Sequence, residues 1–140
     1  MRLGQKQELF YRFNHHLDEW ILSQAGVEIR GGELWRPNSQ AIWNASHCRV
    51  CKEPKWWHSP DGNLDHKFIP IGIKNSNHCR KLASDKNIFV NGVWVTRSVD
   101  LTDLGEYWEK MSTDEVTCCW GGRFKHPDGN HFSFLHGRTR

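Results

Sequence analysis

The sequence predicts a two-layer α+β domain, with helices packed on a small, mainly antiparallel sheet. Three observations predict it. Within residues 5–25, Leu9, Phe10, Phe13, Leu17, Trp20 and Ile21 recur at helical spacing. Phe89-Val90-Asn91-Gly92-Val93-Trp94-Val95 sets an Asn-Gly pair, suited to a type I′ turn, between β-branched runs. Leu101, Leu104, Trp108 and Met111 then return to helical spacing. At 140 residues, the chain has the size of one domain around one core.

The elements follow in order. The first helix is expected to stop at Gly26, placed as a C′ glycine. Val27 and Ile29 alternate with Glu28 and Arg30, which predicts a short strand. Gly31-Gly32 turns the chain into Glu33-Leu34-Trp35-Arg36, a second short strand. Pro37-Asn38-Ser39 opens a helix to about Ala45. Residues 46–67 are punctuated by Pro, Gly, Asp and Asn and read as an irregular insertion, of a length that is usually functional or tied by a metal. From Ile69 to Thr96 the chain reads as sheet. The helix over 101–111 has Asp100 or Thr102 as candidate N-cap. Cys118-Cys119-Trp120-Gly121-Gly122-Arg123-Phe124 and Gly129-Asn130-His131-Phe132-Ser133-Phe134 supply two more short strands.

Composition narrows the function classes. The chain is 37% hydrophobic and 25% charged, unlike a long disordered chain. A net charge of +3 suits an anionic partner such as cell wall or nucleic acid, or simply a solvated surface. No stretch reaches the apolar length of a membrane span. The N-terminal residues lack the apolar run of a signal peptide, so synthesis and folding in a cytoplasm are expected. The five Cys cannot all pair within the chain, and in a reducing compartment they are expected as thiols or metal ligands. Adjacent Cys118 and Cys119 read as buried small hydrophobes. Eight Trp are expected to be shared between the core and a groove.

Nine His draw attention to metal or acid–base chemistry. A catalytic zinc takes three protein ligands and leaves the fourth position open. His78 and Asp85 are spaced so that one turn can bring them together, and His131 lies in a segment able to pair as a neighbouring strand. Asp128, three residues earlier, is a candidate general base. On spacing alone, each His reads more readily as a surface or core residue than as a ligand.

Ser76-Asn77-His78-Cys79-Arg80-Lys81-Leu82-Ala83-Ser84-Asp85 and Asp128-Gly129-Asn130-His131 carry a resemblance. The chain resembles the zinc peptidases that include D-Ala-D-Ala carboxypeptidases and the L-alanyl-D-glutamate endopeptidases of phage endolysins. The first motif of that family is Ser-x-His followed by Asp seven residues after the His. The second ends in His with an acid three residues before. Arg36 with Gln40, the Leu104-Gly105-Glu106-Tyr107-Trp108 run and Trp120-Gly121-Gly122 match further features of the phage type. The resemblance implies a Hedgehog/DD-peptidase-like fold and a single zinc peptidase domain over residues 1–140. It implies one catalytic zinc on His78, Asp85 and His131, Asp128 as general base, and Arg36 as holder of the scissile carbonyl and its oxyanion. Ser76 is assigned to orienting the first motif or a substrate amide, and Trp120 to walling the cleft or packing the core. The implied activity is hydrolysis of the peptidoglycan stem peptide, at L-Ala-D-Glu or alternatively at D-Ala-D-Ala, by a monomeric phage endolysin. Such a protein is made in the host cytoplasm and acts on the wall after release, causing host lysis, with no nucleic-acid or membrane partner. Three positions depart from the family pattern: Lys81 replaces a small residue, and Ser84 and Lys86 replace the apolar neighbours of Asp85. A bulged or more exposed strand is therefore expected there.

Within the insertion, Cys48-Arg49-Val50-Cys51 has metal-ligand spacing, and His47, His58 and His66 lie near it. Cys48, Cys51, His58 and His66 are candidates for a second, structural zinc; two reduced thiols in a packed loop are the alternative. The same Cys pair, with the basic balance and the aromatics, would also fit a zinc-containing nucleic-acid-binding module. A non-catalytic wall-binding relative is a third reading, which the presence of Asp128 opposes.

Overall fold

The computed structural model describes residues 1–49, 52, 55, 68, 70–72 and 75–140. It is an α+β structure of helices and small antiparallel sheets. Helix α1 spans Leu3–Leu22 and buries Phe10, Leu17 and Ile21, the face that the spacing predicts. It ends at Ser23, not at Gly26. Gly26 instead takes φ +72° in the following turn, where its carbonyl accepts from Asn91 N at 2.7 Å.

Strand β1 (Val27–Ile29) lies antiparallel to β3 (Ile88–Val90), which pairs with β4 (Val93–Trp94). Asn91 and Gly92 both have positive φ, as a type I′ hairpin turn requires. A second three-stranded sheet runs β2-β6-β5, from Ala83–Asp85, His131–Phe134 and Cys118–Trp120. Only Lys86 and Asn87 separate β2 from β3, so the two sheets meet at the first motif.

Residues 33–36 do not form the expected strand. Gly31 and Gly32 hold φ of +68° and +132°, and a Cβ at Gly32 would lie 1.8 Å from the Asp85 carbonyl oxygen. The chain therefore presses edge-on against β2, with Asp85 N donating to Glu33 O at 2.6 Å. Helix α2 (Asn38–Ser46) follows as the sequence predicts.

Helix α3 (Thr102–Lys110) is entered through a 3-10 turn over Ser98–Leu101. Neither candidate N-cap side chain caps it: Leu101 takes that position, and the Thr102 hydroxyl donates to Val99 O. The core lies between α1, α3 and the β2-β6-β5 sheet. Trp108 is fully buried, with Phe10, Phe132 and Phe134 at ring-centroid distances of 5.9, 6.2 and 5.7 Å. Its indole N–H donates to Ser133 O at 3.2 Å, so truncation to Ala would cost about 3–5 kcal/mol. Cys118 is buried in β5, with its thiol pushed up to about 12 by desolvation, and Cys119 is half-buried. Among the described residues, no helix is long and apolar enough to cross a membrane.

Candidate metal centre

His78 sits in a 3-10 turn over Asn77–Arg80. The Ser76 hydroxyl caps this turn by accepting from His78 N at 3.2 Å, and Asn77 Nδ2 ties it to Phe134 O at 2.8 Å. The turn closes at Lys81, which takes a left-handed conformation at φ +56° and sends the chain into β2. Asp85 ends β2 and stands directly opposite His131, the first residue of β6. Opposite residues of an antiparallel pair project to the same face, so the register itself brings these two side chains together.

Three ligand-type atoms converge. Asp85 Oδ1 is 3.0 Å from His131 Nδ1 and 3.2 Å from His78 Nε2, and the two imidazole nitrogens are 3.2 Å apart. Hydrogen bonds alone cannot satisfy this triangle. If both rings aim an N–H at the carboxylate, two donors face each other; if one ring is deprotonated there, a lone pair faces Asp85. A cation among the three atoms removes the conflict. Tetrahedral zinc with ligands at about 2.0–2.2 Å would set its ligand atoms roughly 3.3–3.6 Å apart, close to the observed edges. The far ring nitrogens, His78 Nδ1 and His131 Nε2, are buried without a hydrogen-bond partner among the described residues. The cluster therefore fits a divalent metal in both donor chemistry and spacing. Burial alone would raise the Asp85 carboxyl, but hydrogen bonds from His131 and His78, with their charge, hold it well below the usual carboxylate range.

Asp128 lies in the turn that delivers His131, where its carbonyl accepts from His131 N at 3.1 Å. Gly121 packs against this turn so closely that a Cβ would fall 2.1 Å from Asp128 O and 2.8 Å from His131 Cβ. The Asp128 side chain is open to solvent at its surface, yet the protein mass around it and then the Asp85 charge raise its carboxyl above the ordinary value. Trp120 is in the core at 4% exposure, where its indole N–H donates to Gly129 O at 2.7 Å. Its ring fills the space in front of Gly105 and Gly122, where an added Cβ would meet it at 2.0 and 2.3 Å. These contacts place Trp120 under the Asp128–His131 turn, on the core-packing side of the two roles open to it.

Arg36 is largely enclosed, and its backbone N donates to His78 O at 3.3 Å. Its Nε donates to Glu33 Oε1 at 2.8 Å and a terminal nitrogen to Glu33 Oε2, a two-pronged grip that raises the guanidinium pKa. Gln40 is on exposed α2, bonded to Asn44. The partner Glu33 is not apparent from sequence, because its spacing from Arg36 resembles an ordinary surface pair.

The strand carrying Asp85 differs from expectation. Ser84 and Lys86 are neither bulged out nor exposed; both are buried and β2 pairs with β6 without interruption. The Ser84 hydroxyl donates to Asn14 Oδ1 at 2.7 Å, and Lys86 Nζ to the same oxygen at 2.6 Å. Lys86 Nζ is also 2.6 Å from Asp18 Oδ1. Polar residues one turn apart on α1 thus receive what apolar neighbours would otherwise have supplied.

Cys48 is fully buried, in an isolated bridge with Pro70. Cys51, His58 and His66, the other candidates for a second zinc, lie outside the described residues. His47, also near that motif, stacks on Trp43 at 4.0 Å.

A family model described as D-alanyl-D-alanine carboxypeptidase matches residues 72–134. The matched segment holds Ser76, His78, Asp85, Asp128 and His131; Arg36 and α1 precede it. No curated protein and no solved structure matches the chain. The match supports the resemblance to cell-wall peptidases carried by the two motifs.

Proposed function

We propose that this chain is a zinc-dependent peptidase of bacterial cell-wall peptides, a member of the family its motifs resemble, acting as a phage endolysin. The convergence of His78, Asp85 and His131 inside the matched segment carries this reading. The three residues would hold one zinc. Bound there, zinc would supply a Lewis acid that activates water and polarises a carbonyl. Asp128 takes the proton of the attacking water and returns it to the leaving amine, a role helped by its raised carboxyl pKa. Arg36, held in place by Glu33, offers its remaining N–H groups to the oxygen on which negative charge develops. Ser76 fixes the backbone of His78, and Trp120 supports the turn between Asp128 and His131.

The bond cut in the stem peptide is L-Ala-D-Glu, as in the phage-type members that the chain resembles. Cleavage at D-Ala-D-Ala is the second reading, favoured by the description of the matching family. Purified peptidoglycan is incubated with metal-free and zinc-reloaded protein, and the released products are weighed by mass spectrometry. The first reading expects zinc-dependent products beginning at D-Glu, and the second expects loss of a terminal Ala. Absence of any cleavage product with reloaded protein contradicts both.

A further inference from the structure

A basic groove lies on the same side of the β2-β6-β5 sheet as the metal centre. Four cations, Arg123, Lys125, Arg138 and Arg140, line it together with Phe124, around a volume of about 540 Å³. Glu106 and Glu109 neutralise Arg123, at 3.9 and 3.0 Å. Lys125, Arg138 and Arg140 are exposed and form no ion pair among the described residues. Arg138 stands in a tight turn closed by His136 and Thr139, whose backbones exchange hydrogen bonds of 2.9 and 3.0 Å.

Strand alternation and direct contacts put the groove on that side. Phe132 and Phe134 of β6 turn to Trp108 in the core, so His131 and Ser133 project from the other face. Cys119 stands opposite Ser133 and shares that face; its thiol, raised by burial, is pulled back by the charge of Arg140. The Phe124 ring lies 5.5 Å from the His131 ring, centroid to centroid. The remaining walls, Asn75 and Thr139, are tied to the turn that carries His78. Thr139 O accepts from Asn77 Nδ2 at 3.1 Å, and Asn75 O accepts from Arg80 Nη1 at 3.2 Å.

Resting on the peptidase reading above, we propose that this groove is a substrate subsite, in which Lys125 and Arg138 receive a free carboxylate of the stem peptide while its scissile bond lies at the metal centre. The occupant is the peptide being cut, because Phe124 is a wall shared by the groove and His131, and the cations complement an acidic peptide. With Arg123 already neutralised, the positive charge is local, which suits the carboxylates of a short peptide better than a long polyanion.

The test measures binding without turnover. Zinc-loaded Asp128→Asn protein is titrated calorimetrically with a wall-derived stem peptide carrying free carboxylates and with the same peptide amidated at them. Adding Lys125→Gln and Arg138→Gln together should weaken the free-carboxylate peptide about tenfold and leave the amidated one unchanged. The charge-preserving pair Lys125→Arg and Arg138→Lys should keep most of the affinity. In the otherwise unaltered enzyme, the Gln pair should raise KM and leave kcat, with no loss of melting temperature because both side chains are exposed. Equal affinity of the Gln pair and its parent for the free-carboxylate peptide would overturn the subsite, even if the enzyme cleaves wall. So would an equal loss with both peptides, or a loss confined to retention on intact wall, which would assign the cations to a wall polyanion. Charge-dependent peptide binding by a protein that cleaves nothing would uphold the subsite and remove the peptidase reading.

Discussion

Asp85 and His131 face each other across the β2–β6 pair, with Asp85 Oδ1 3.0 Å from His131 Nδ1. Strand register, not loop conformation, sets this distance, so the carboxylate is preorganised before any metal arrives. Replacing Asp85 with Asn preserves volume but removes the charge and one strong oxygen donor. Zinc affinity should fall by more than about 100-fold, since even partners outside the ligand set are worth 10–100-fold. Competition against a chromophoric chelator reads this directly; an unchanged dissociation constant would remove Asp85 from the ligand set.

Asp128→Asn should keep the zinc and the fold while kcat falls by about 10²–10⁴-fold. The base works only when ionised, and burial, the larger cause, raises its carboxyl; the Asp85 charge adds to this only while no cation sits on Asp85. Activity should therefore fall, on lowering pH, through a limb above the ordinary Asp value of about 3.9. A pH–rate profile with its acid limb at or below that value would assign the proton transfer to another group.

The Arg36–Glu33 pair separates charge from geometry. Arg36→Ala should lower kcat by about 10²–10³-fold, the usual cost of losing an oxyanion donor. Arg36→Lys should not rescue it, because an ammonium cannot be gripped at two points by Glu33. Glu33→Gln should give an intermediate loss with zinc content intact. Steady-state kinetics on a soluble muropeptide checks the order of the three variants; full activity in Arg36→Lys would mean that only the charge matters.

The Asn14 carboxamide oxygen accepts from both Ser84 and Lys86 behind the metal strand. Asn14→Leu leaves the Ser84 hydroxyl without its acceptor and Lys86 with Asp18 alone, and should cost about 1–3 kcal/mol in denaturant unfolding. Desolvation lowers the Lys86 pKa despite the opposing pull of Asp18. A depressed base binds fewer protons folded than unfolded between its two pKa values. Its penalty is thus fully present at neutral pH and is relieved as pH rises through the folded pKa toward the unfolded one. Wild type should gain stability relative to Lys86→Met on moving into the alkaline range, and a relative loss by wild type over that range would contradict the assignment.

The periodic parts of the fold were legible because one physical rule sets them. Helix α1, the Asn91-Gly92 hairpin and α3 follow from apolar spacing and turn chemistry. The segment at 33–36 looked like a strand because its residue types suit one, but Gly31 and Gly32 press its backbone against Asp85. The buried face of Ser84 and Lys86 was illegible for a related reason: their partners Asn14 and Asp18 are about 70 residues away, and a polar residue without a visible partner reads as exposed. Within the candidate site, His78, Asp85, Asp128 and His131 came from the resemblance that the two motifs carry and not from spacing alone, whereas Glu33 emerges only from three-dimensional proximity. Lys81 shows why a small residue suits that position, since the chain must turn there with positive φ.

Zinc stoichiometry is the most direct test of the central claim that His78, Asp85 and His131 together hold a metal. Elemental analysis after equilibrium dialysis compares the wild-type protein with His78→Ala and His131→Ala, each confirmed folded by near-ultraviolet circular dichroism. The account expects both variants to hold one equivalent fewer than wild type, whatever metal residues 46–67 retain. Full wild-type zinc content in both folded variants would contradict it.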